Sequence, residues 1–483
     1  MVKIAVIGGG ISGLVCAHRL RKRLPTADIR LFEATDRTGG AIATHRQDGW
    51  VCEGGPAAFL NRNGVAVDLA ASLGLESELV TACEHMRRRY ILVDGRLCLF
   101  PDSMAALLSS DLLSWTGTAR ALLETLLPPS PRREDESVGA FARRRLGREA
   151  AERMLDPVVA GIYAGDPESL SLNAALPQLA AAERKGLSIL RLLVSRREPP
   201  QEPGGSPAGI GRKRLVSFRR GMVRLVEALN DDLGSSVELR SPIRGLTRQG
   251  RRWRLDVGGE RPREVLVDAV VLAMPGSAAA RLLGELPPKL QETLQSIPTA
   301  PVSVVALGFR ESDIPHPMEG FGYLVPSGAQ EQVLGVMWSS SMFPGLRSPP
   351  GSALLRVLLG GSRHPAICEG SDEDLVLRAR VHLQAVMGIS ARPIQQHCFR
   401  HRLGISQYQV GHGERVQRAE AALLDLPGLA LAGQAYRGVG VGACVADGQR
   451  AGDAMADYAE LLPPRPKNRF SDRPRPGRSA PRP

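Results

Sequence analysis

The chain contains 483 residues, 43% of them hydrophobic and 23% charged, with a formal net charge of +12. That balance suits a globular protein of two or three domains and excludes a wholly disordered or fibrous chain. Seven scattered cysteines without a C-x-x-C pair argue for a reducing compartment and against a disulfide framework or zinc cluster. From the N-terminus, Val2 to Ile7 is a short β-branched run suited to a buried parallel strand. Gly8, Gly10 and Gly13 then match G-x-G-x-x-G at a strand-to-helix turn. Gly8 permits the turn, Gly10 lets the backbone approach a pyrophosphate, and Gly13 lets the helix pack on the strand. The helix starting near Ile11 aims its free N–H groups at phosphates. A second strand over 28–33 ends in Glu33, placed to accept hydrogen bonds from a ribose hydroxyl pair. The expectation is a bound dinucleotide.

Arg37, Gly39 and Gly40 follow the acid as Glu-x3-Arg-x-Gly-Gly. Two further glycines let the chain pass close to the cofactor. This pattern resembles flavin oxidoreductases of the glutathione-reductase and amine-oxidase type, which favours FAD over NAD. Further along, 66–75 reads as a helix closed by Gly74, and 90–99 as a hairpin around Asp94-Gly95. Residues 101–195 read as helical, and 196–214 as a Pro/Gly-rich flexible loop. Strands are expected at 237–240, 253–257 and 265–274, then at 302–309, 333–338 and 353–359 in a largely antiparallel second sheet. An amphipathic helix is expected over 372–387. Near the C-terminus a strand at 429–434 enters a second glycine-crowded turn, Gly438-Val439-Gly440-Val441-Gly442, and a helix to about Leu461. No run approaches the ~20 apolar residues that span a bilayer, and the apolar N-terminus leads into the nucleotide turn rather than a signal peptide. The Pro- and Arg-rich stretch 463–483 carries about half the net charge and reads as a disordered basic tail. The modest remainder gives no reason to expect nucleic-acid binding.

Several blocks then resemble one family, the protoporphyrinogen oxidases: Glu53-Gly-Gly-Pro56-Ala-Ala-Phe59, Arg88-Arg89-Tyr90, Gly161-Ile-Tyr-Ala-Gly165-Asp, Gly320-Phe321-Gly322-Tyr-Leu324-Val-Pro326 and Leu334-Gly-Val-Met-Trp338. The resemblance spans about 1–462. It implies an α/β, multidomain fold. A Rossmann-like FAD domain of the p-hydroxybenzoate-hydroxylase and amine-oxidase type (1–84, 214–275 and 426–462) would carry a substrate domain (85–100 and 276–425). A helical, membrane-binding insertion would occupy 101–213. The implied reaction is six-electron oxidation of protoporphyrinogen IX, with three O2 consumed and three hydrogen peroxide released. The implied location is cytoplasmic, peripheral on the inner face of the membrane, with a downstream chelatase and a homodimer as the partners to consider.

Carried over by position, the FAD contacts are Gly8, Gly9, Gly10, Ile11, Ser12, Gly13, Glu33, Ala34, Gly39, Gly40, Ala41, Gly55, Pro56, Ala57, Ala58, Ile243, Gln434, Val439, Gly440 and Val441. Ala41 and Gln434 depart from some members, which have a Trp and a small residue there. For the substrate, Arg89 aligns with an arginine that pairs with a propionate, and Gly161 with a glycine beside the macrocycle. Trp338 takes a position where some members place a Phe in contact with a pyrrole ring, and Phe321 and Leu324 would line the apolar wall. No Ser/His/Asp arrangement, carboxylate pair or metal cluster stands out, and His397, His401 and His412 lack supporting ligands. Hydride loss from a porphyrinogen bridge leaves a delocalised cation, so positioning matters more than a strong base. The alternatives are a coproporphyrinogen III oxidase with four propionates to hold, an amine oxidase or carotenoid desaturase, and a silent flavin-binding protein.

Overall fold

The structure is a computed structural model that describes residues 1–128, 134–194, 210, 214–284, 287–329 and 332–463. The expected linker at 196–214 and the basic tail at 463–483 fall almost wholly outside these.

A five-stranded sheet gathers segments from across the chain in the order 237–238, 28–32, 3–7, 269–272, 429–431, all parallel. Its strands are apolar on both faces, as burial between helices requires. The helix Ile11–Arg23 lies on it beside the helix Val441–Glu460. These two cross so closely that a Cβ on Gly448 would sit 2.5 Å from the Ser12 carbonyl oxygen. The Ser12 hydroxyl donates across the crossing to the Cys444 carbonyl at 2.9 Å.

The single strand expected over 265–274 is two. Arg263–Val267 pairs antiparallel with Arg252–Val257, and Ala269–Leu272 joins the parallel sheet. Asp268 is the pivot, its carboxylate accepting the Lys3 N–H at 2.8 Å. The Asp94-Gly95 hairpin forms as expected, both turn residues having positive φ (51° and 77°).

A seven-stranded sheet runs in the order 395–406, 299–310, 352–360, 333–338, 322–324, 90–93, 96–99. It is antiparallel except where 322–324 meets 90–93. The helix Asp372–Met387 covers one face, packing Leu375, Ala379 and Leu383 on Val305, Leu307, Leu355 and Val357. The opposite face turns toward the hairpin Thr44–Gln47/Trp50–Glu53 and the loop after it: Phe399 packs with Trp50, and the His401 ring bonds the Gly54 carbonyl at 2.8 Å.

Between 101 and 194 short helices build a separate core around Phe141, Met154, Leu155 and Leu190. Ser103, Ser114, Ser137 and Ser171 each cap a helix by accepting an N–H from the third residue on. Such caps stabilise by about 1 kcal/mol each.

Candidate active site

The two glycine patterns that stand apart in sequence meet in space. Gly39 N–H donates to the Gly9 carbonyl at 2.8 Å, and Gly10 and Gly39 bridge as in a parallel sheet. Arg37 binds this crossing by donating to the carbonyls of Thr38, Gly40 and Ile42. Glu33 accepts the Gly9 N–H at 2.7 Å through one oxygen and the Thr35 N–H at 2.9 Å through the other. Ile243 opens its strand close by, where Ser241 N–H donates to the Glu33 carbonyl. Ala34 and Ala41 are exposed at the edge of the same group.

The glycines divide into two kinds. A Cβ on Gly8 would meet the Ala273 oxygen at 2.4 Å, on Gly13 the Gly8 oxygen at 2.0 Å, and on Gly55 the Ala41 oxygen at 1.9 Å. The fold itself excludes side chains there. At Gly10, Gly433, Gly440 and Gly442 a Cβ would meet nothing within 4 Å. These four leave room that the protein does not use. Gly10 and Gly440 are the N-caps of the two crossing helices, and neither helix has a side-chain cap. Free amides and two positive dipole ends therefore face the same region, the donor set that a dinucleotide's phosphates and electron-rich ring require.

Tyr408 fixes the C-terminal side. Its phenol donates to the Gln434 carbonyl and accepts the Gly438 N–H, both at 2.6 Å. Burial pushes this phenol far above its ordinary pKa, so it stays protonated and able to donate. The Gln434 side chain donates to the Gly404 carbonyl at 2.7 Å, so it is committed to the protein. Asp447 accepts the Gly433 N–H at 2.8 Å and is held in turn by Arg437 and Arg450.

The expected substrate residues are only partly brought together. Arg89 lies over the Phe321 ring, 5.4 Å from its centroid, and is solvent-accessible. Phe321, Met337 and Ala58, the last of the residues 55–58 expected at the cofactor, each pack against the small core of Met86, Met342 and Phe343. A Cβ on Gly161 would lie 2.7 Å from Leu324, so the room at this glycine serves that contact. Leu324 and Val439 pack on the same helical core as Tyr163 and Tyr408.

Trp338 stands apart from these residues. It is fully buried among Tyr90, His316 and Tyr323 beneath the helix Asp372–Met387, on the face away from the cofactor loop. Its neighbour Met337 points the other way, in contact with Arg356. A bulge between Val333 and Gly335 shifts the strand's register, so the side-chain alternation cannot be counted from the apolar run alone.

The histidines are dispersed. His397 stacks on His45 with ring centroids 4.0 Å apart, His401 bonds Gly54, and His412 stacks on Tyr408 at 3.9 Å. Burial lowers the pKa of all three, that of His412 to about 4. Sequence reading missed Met337, Tyr408 and Arg356. Arg356 had a signal, a lone charge inside Ala353-Leu-Leu-Arg-Val-Leu-Leu.

Residues 11–456 match the model of the flavin containing amine oxidoreductases. The chain belongs to that family. Within it the chain groups with the protoporphyrinogen and coproporphyrinogen III oxidases. It is 31% identical to coproporphyrinogen III oxidase of Bacillus subtilis, over 93% of this chain and 96% of the relative. It is 32% identical to protoporphyrinogen oxidase of Homo sapiens, over 93% and 97%. The crystal structure of a protein from Exiguobacterium sp. 255-15 named for protoporphyrinogen oxidase superposes with a TM-score of 0.81 at 27% identity, covering 94% of this chain and 98% of that one. Cyclohexylamine oxidase from Brevibacterium oxydans shares the fold, with a TM-score of 0.69 at 19% identity. The protein is an FAD-dependent oxidoreductase, and the uncapped helix ends and unfilled glycine positions fit that cofactor. Among the described residues no helix is long and apolar enough to cross a membrane.

Proposed function

We propose that this chain oxidises protoporphyrinogen IX to protoporphyrin IX by six electrons, with three O2 reduced to three hydrogen peroxide, in haem biosynthesis. The observation that carries the reading is shared packing. Ala58 of the cofactor loop lies in one cluster with Phe321, and Val439 of the C-terminal turn in another with Leu324. A flat apolar substrate laid along Phe321 and Leu324 would therefore abut the cofactor. When bound, FAD supplies a two-electron acceptor that is used three times per porphyrin.

The protein's part is placement. Arg89 at the exposed rim would pair with a propionate and fix the rotation of the macrocycle. Leu324, resting against Gly161, would bound the pocket on the helical side. No acid or base is assigned, because ring oxidation is driven by the aromatic product. The division into a discontinuous FAD domain, a substrate domain and a helical domain follows the two sheets and the separate helical core.

Coproporphyrinogen III is the second reading, favoured by the likeness to the Bacillus subtilis enzyme. Porphyrin fluorescence from both substrates, with oxygen uptake in parallel, decides between them. A higher kcat/KM on the dicarboxylate supports the first reading, and a strong preference for the tetracarboxylate replaces it. The helical core exposes Leu108, Trp115, Leu123 and Leu126, which supports peripheral attachment to the inner face of a membrane, where a chelatase would take the product. Flotation with anionic vesicles tests this.

A further inference from the structure

Arg356 sits at the centre of an apolar strand and is only 1% exposed. Its guanidinium donates to the Gly55 carbonyl and, at 3.5 Å, to the Met337 sulfur, while Nε has no hydrogen-bond partner. It forms no ion pair with any described carboxylate. The acid whose field reaches it is Glu53, also buried. Glu53 accepts the Thr44 hydroxyl at 2.7 Å and the Met222 N–H at 2.8 Å. A second buried cation, Arg347, shares that field but is held by the Ser217 hydroxyl and the carbonyls of Phe218 and Arg219. Two guanidiniums thus face one carboxyl, whose own pKa burial raises.

Burying an unpaired cation costs several kcal/mol, and an apolar residue of similar size commonly packs as well or better. Burial lowers the Arg356 pKa to about 10, which still leaves it charged at neutral pH. Stability does not account for such a group. Its position does: it bonds Gly55, and Gly55 is wedged from the other side against Ala41. Both residues align with FAD contacts.

We propose that Arg356 is a positioning residue that anchors the cofactor loop at Gly55 and places an uncompensated positive charge beneath it, so that the loop binds reduced, anionic FAD more tightly than oxidised, neutral FAD. Hydride transfer delivers two electrons and one proton, which leaves the isoalloxazine with one net negative charge. The delocalised cation left on the substrate is neutralised by release of a pyrrole N–H proton to solvent, and the bridge carbon keeps its second hydrogen. The proposal rests on FAD binding and not on which porphyrinogen is oxidised.

The test uses the FAD-loaded protein without substrate and reads the flavin midpoint potential and the FAD Kd. Arg356→Met, which keeps bulk and removes charge, is expected to lower the preference for reduced over oxidised FAD about tenfold, about 30 mV for a two-electron couple. Arg356→Lys should restore it to within about twofold. An unchanged potential in Arg356→Met, or an equal drop in both variants, overturns the proposal. If Arg356→Met does not fold, Arg356→Gln, which also removes the charge, must lower the potential in the same direction, and no shift there overturns it equally. Unmutated protein that takes up no flavin would instead overturn the cofactor assignment itself.

Discussion

Gly39 donates its N–H to the Gly9 carbonyl at 2.8 Å, which joins two glycine motifs edge to edge. Glycines around this joint serve different ends, and substitution separates them. Gly13→Ala would put a methyl 2.0 Å from the Gly8 oxygen and is expected to cost about 2–4 kcal/mol in unfolding free energy. Gly10→Ala meets no protein atom, so its melting temperature should stay within about 3 °C of the parent. Its FAD affinity should nevertheless fall at least about tenfold, since Gly is there for the ligand. Thermal unfolding of the apoprotein and a flavin fluorescence titration read the two effects.

Tyr408→Phe would strip the Gln434 carbonyl and the Gly438 N–H of their shared partner. Leaving such groups unpaired costs about 1–3 kcal/mol. Faster FAD release is expected, with the parent circular dichroism spectrum. FAD release at the parent rate would show that the phenol does not hold this turn.

Arg89→Ala should raise KM for a porphyrinogen about tenfold or more while flavin content stays at one per chain. Arg89→Lys should recover only part, because a point charge does not reproduce bidentate pairing. Steady-state kinetics with parallel flavin absorbance checks both, and unchanged KM removes the proposed contact.

Met337 and Trp338 are neighbours on opposite faces of one strand. Trp338→Ala is expected to cost about 3–5 kcal/mol of stability through its cavity, with KM unchanged in the folded fraction. Met337→Ala should cost less stability and alter kcat/KM. Denaturant unfolding combined with kinetics distinguishes them.

The parts legible in the sequence are those encoded locally. The first glycine turn, the acid at Glu33 and the Asp94-Gly95 hairpin each depend on residues a few positions apart. The strand Gln395–Ser406 is edge-lying and rich in His, Arg and Gln, so no apolar alternation announces it. The hairpin of Thr44–Gln47 and Trp50–Glu53 is hidden in the same way. Trp338 is placed by resemblance alone, and its apolar run does not show which face it takes, because the bulge near Val333 shifts the register. Arg356 stands out in the sequence as a lone charge in an apolar run, but its partner Gly55 is far away in sequence and only the fold brings it near.

His412 links the site to pH. Burial holds its folded pKa at about 4, below the ordinary value of 6.5. The unfolded chain therefore binds a proton that the folded one refuses between these values. Its stabilising contribution is complete above about pH 6.5 and is lost as pH falls toward 4. A His412→Phe variant should show a flatter loss of stability over that window, by about 2–3 kcal/mol at its lower end. Urea unfolding at stepped pH measures it, and an unchanged slope would assign the acid sensitivity to the other histidines whose pKa burial lowers, His316, His397 and His401.

The close crossing of Ile11–Arg23 with Val441–Glu460 has a consequence for biosynthesis. The first helix leaves the ribosome long before its partner is translated, so its apolar flank must wait or be sheltered by a chaperone. A messenger cut short before codon 441 would yield a polypeptide that contains the whole glycine fingerprint yet stays colourless. Cofactor capture is thereby expected only once both helices are in place.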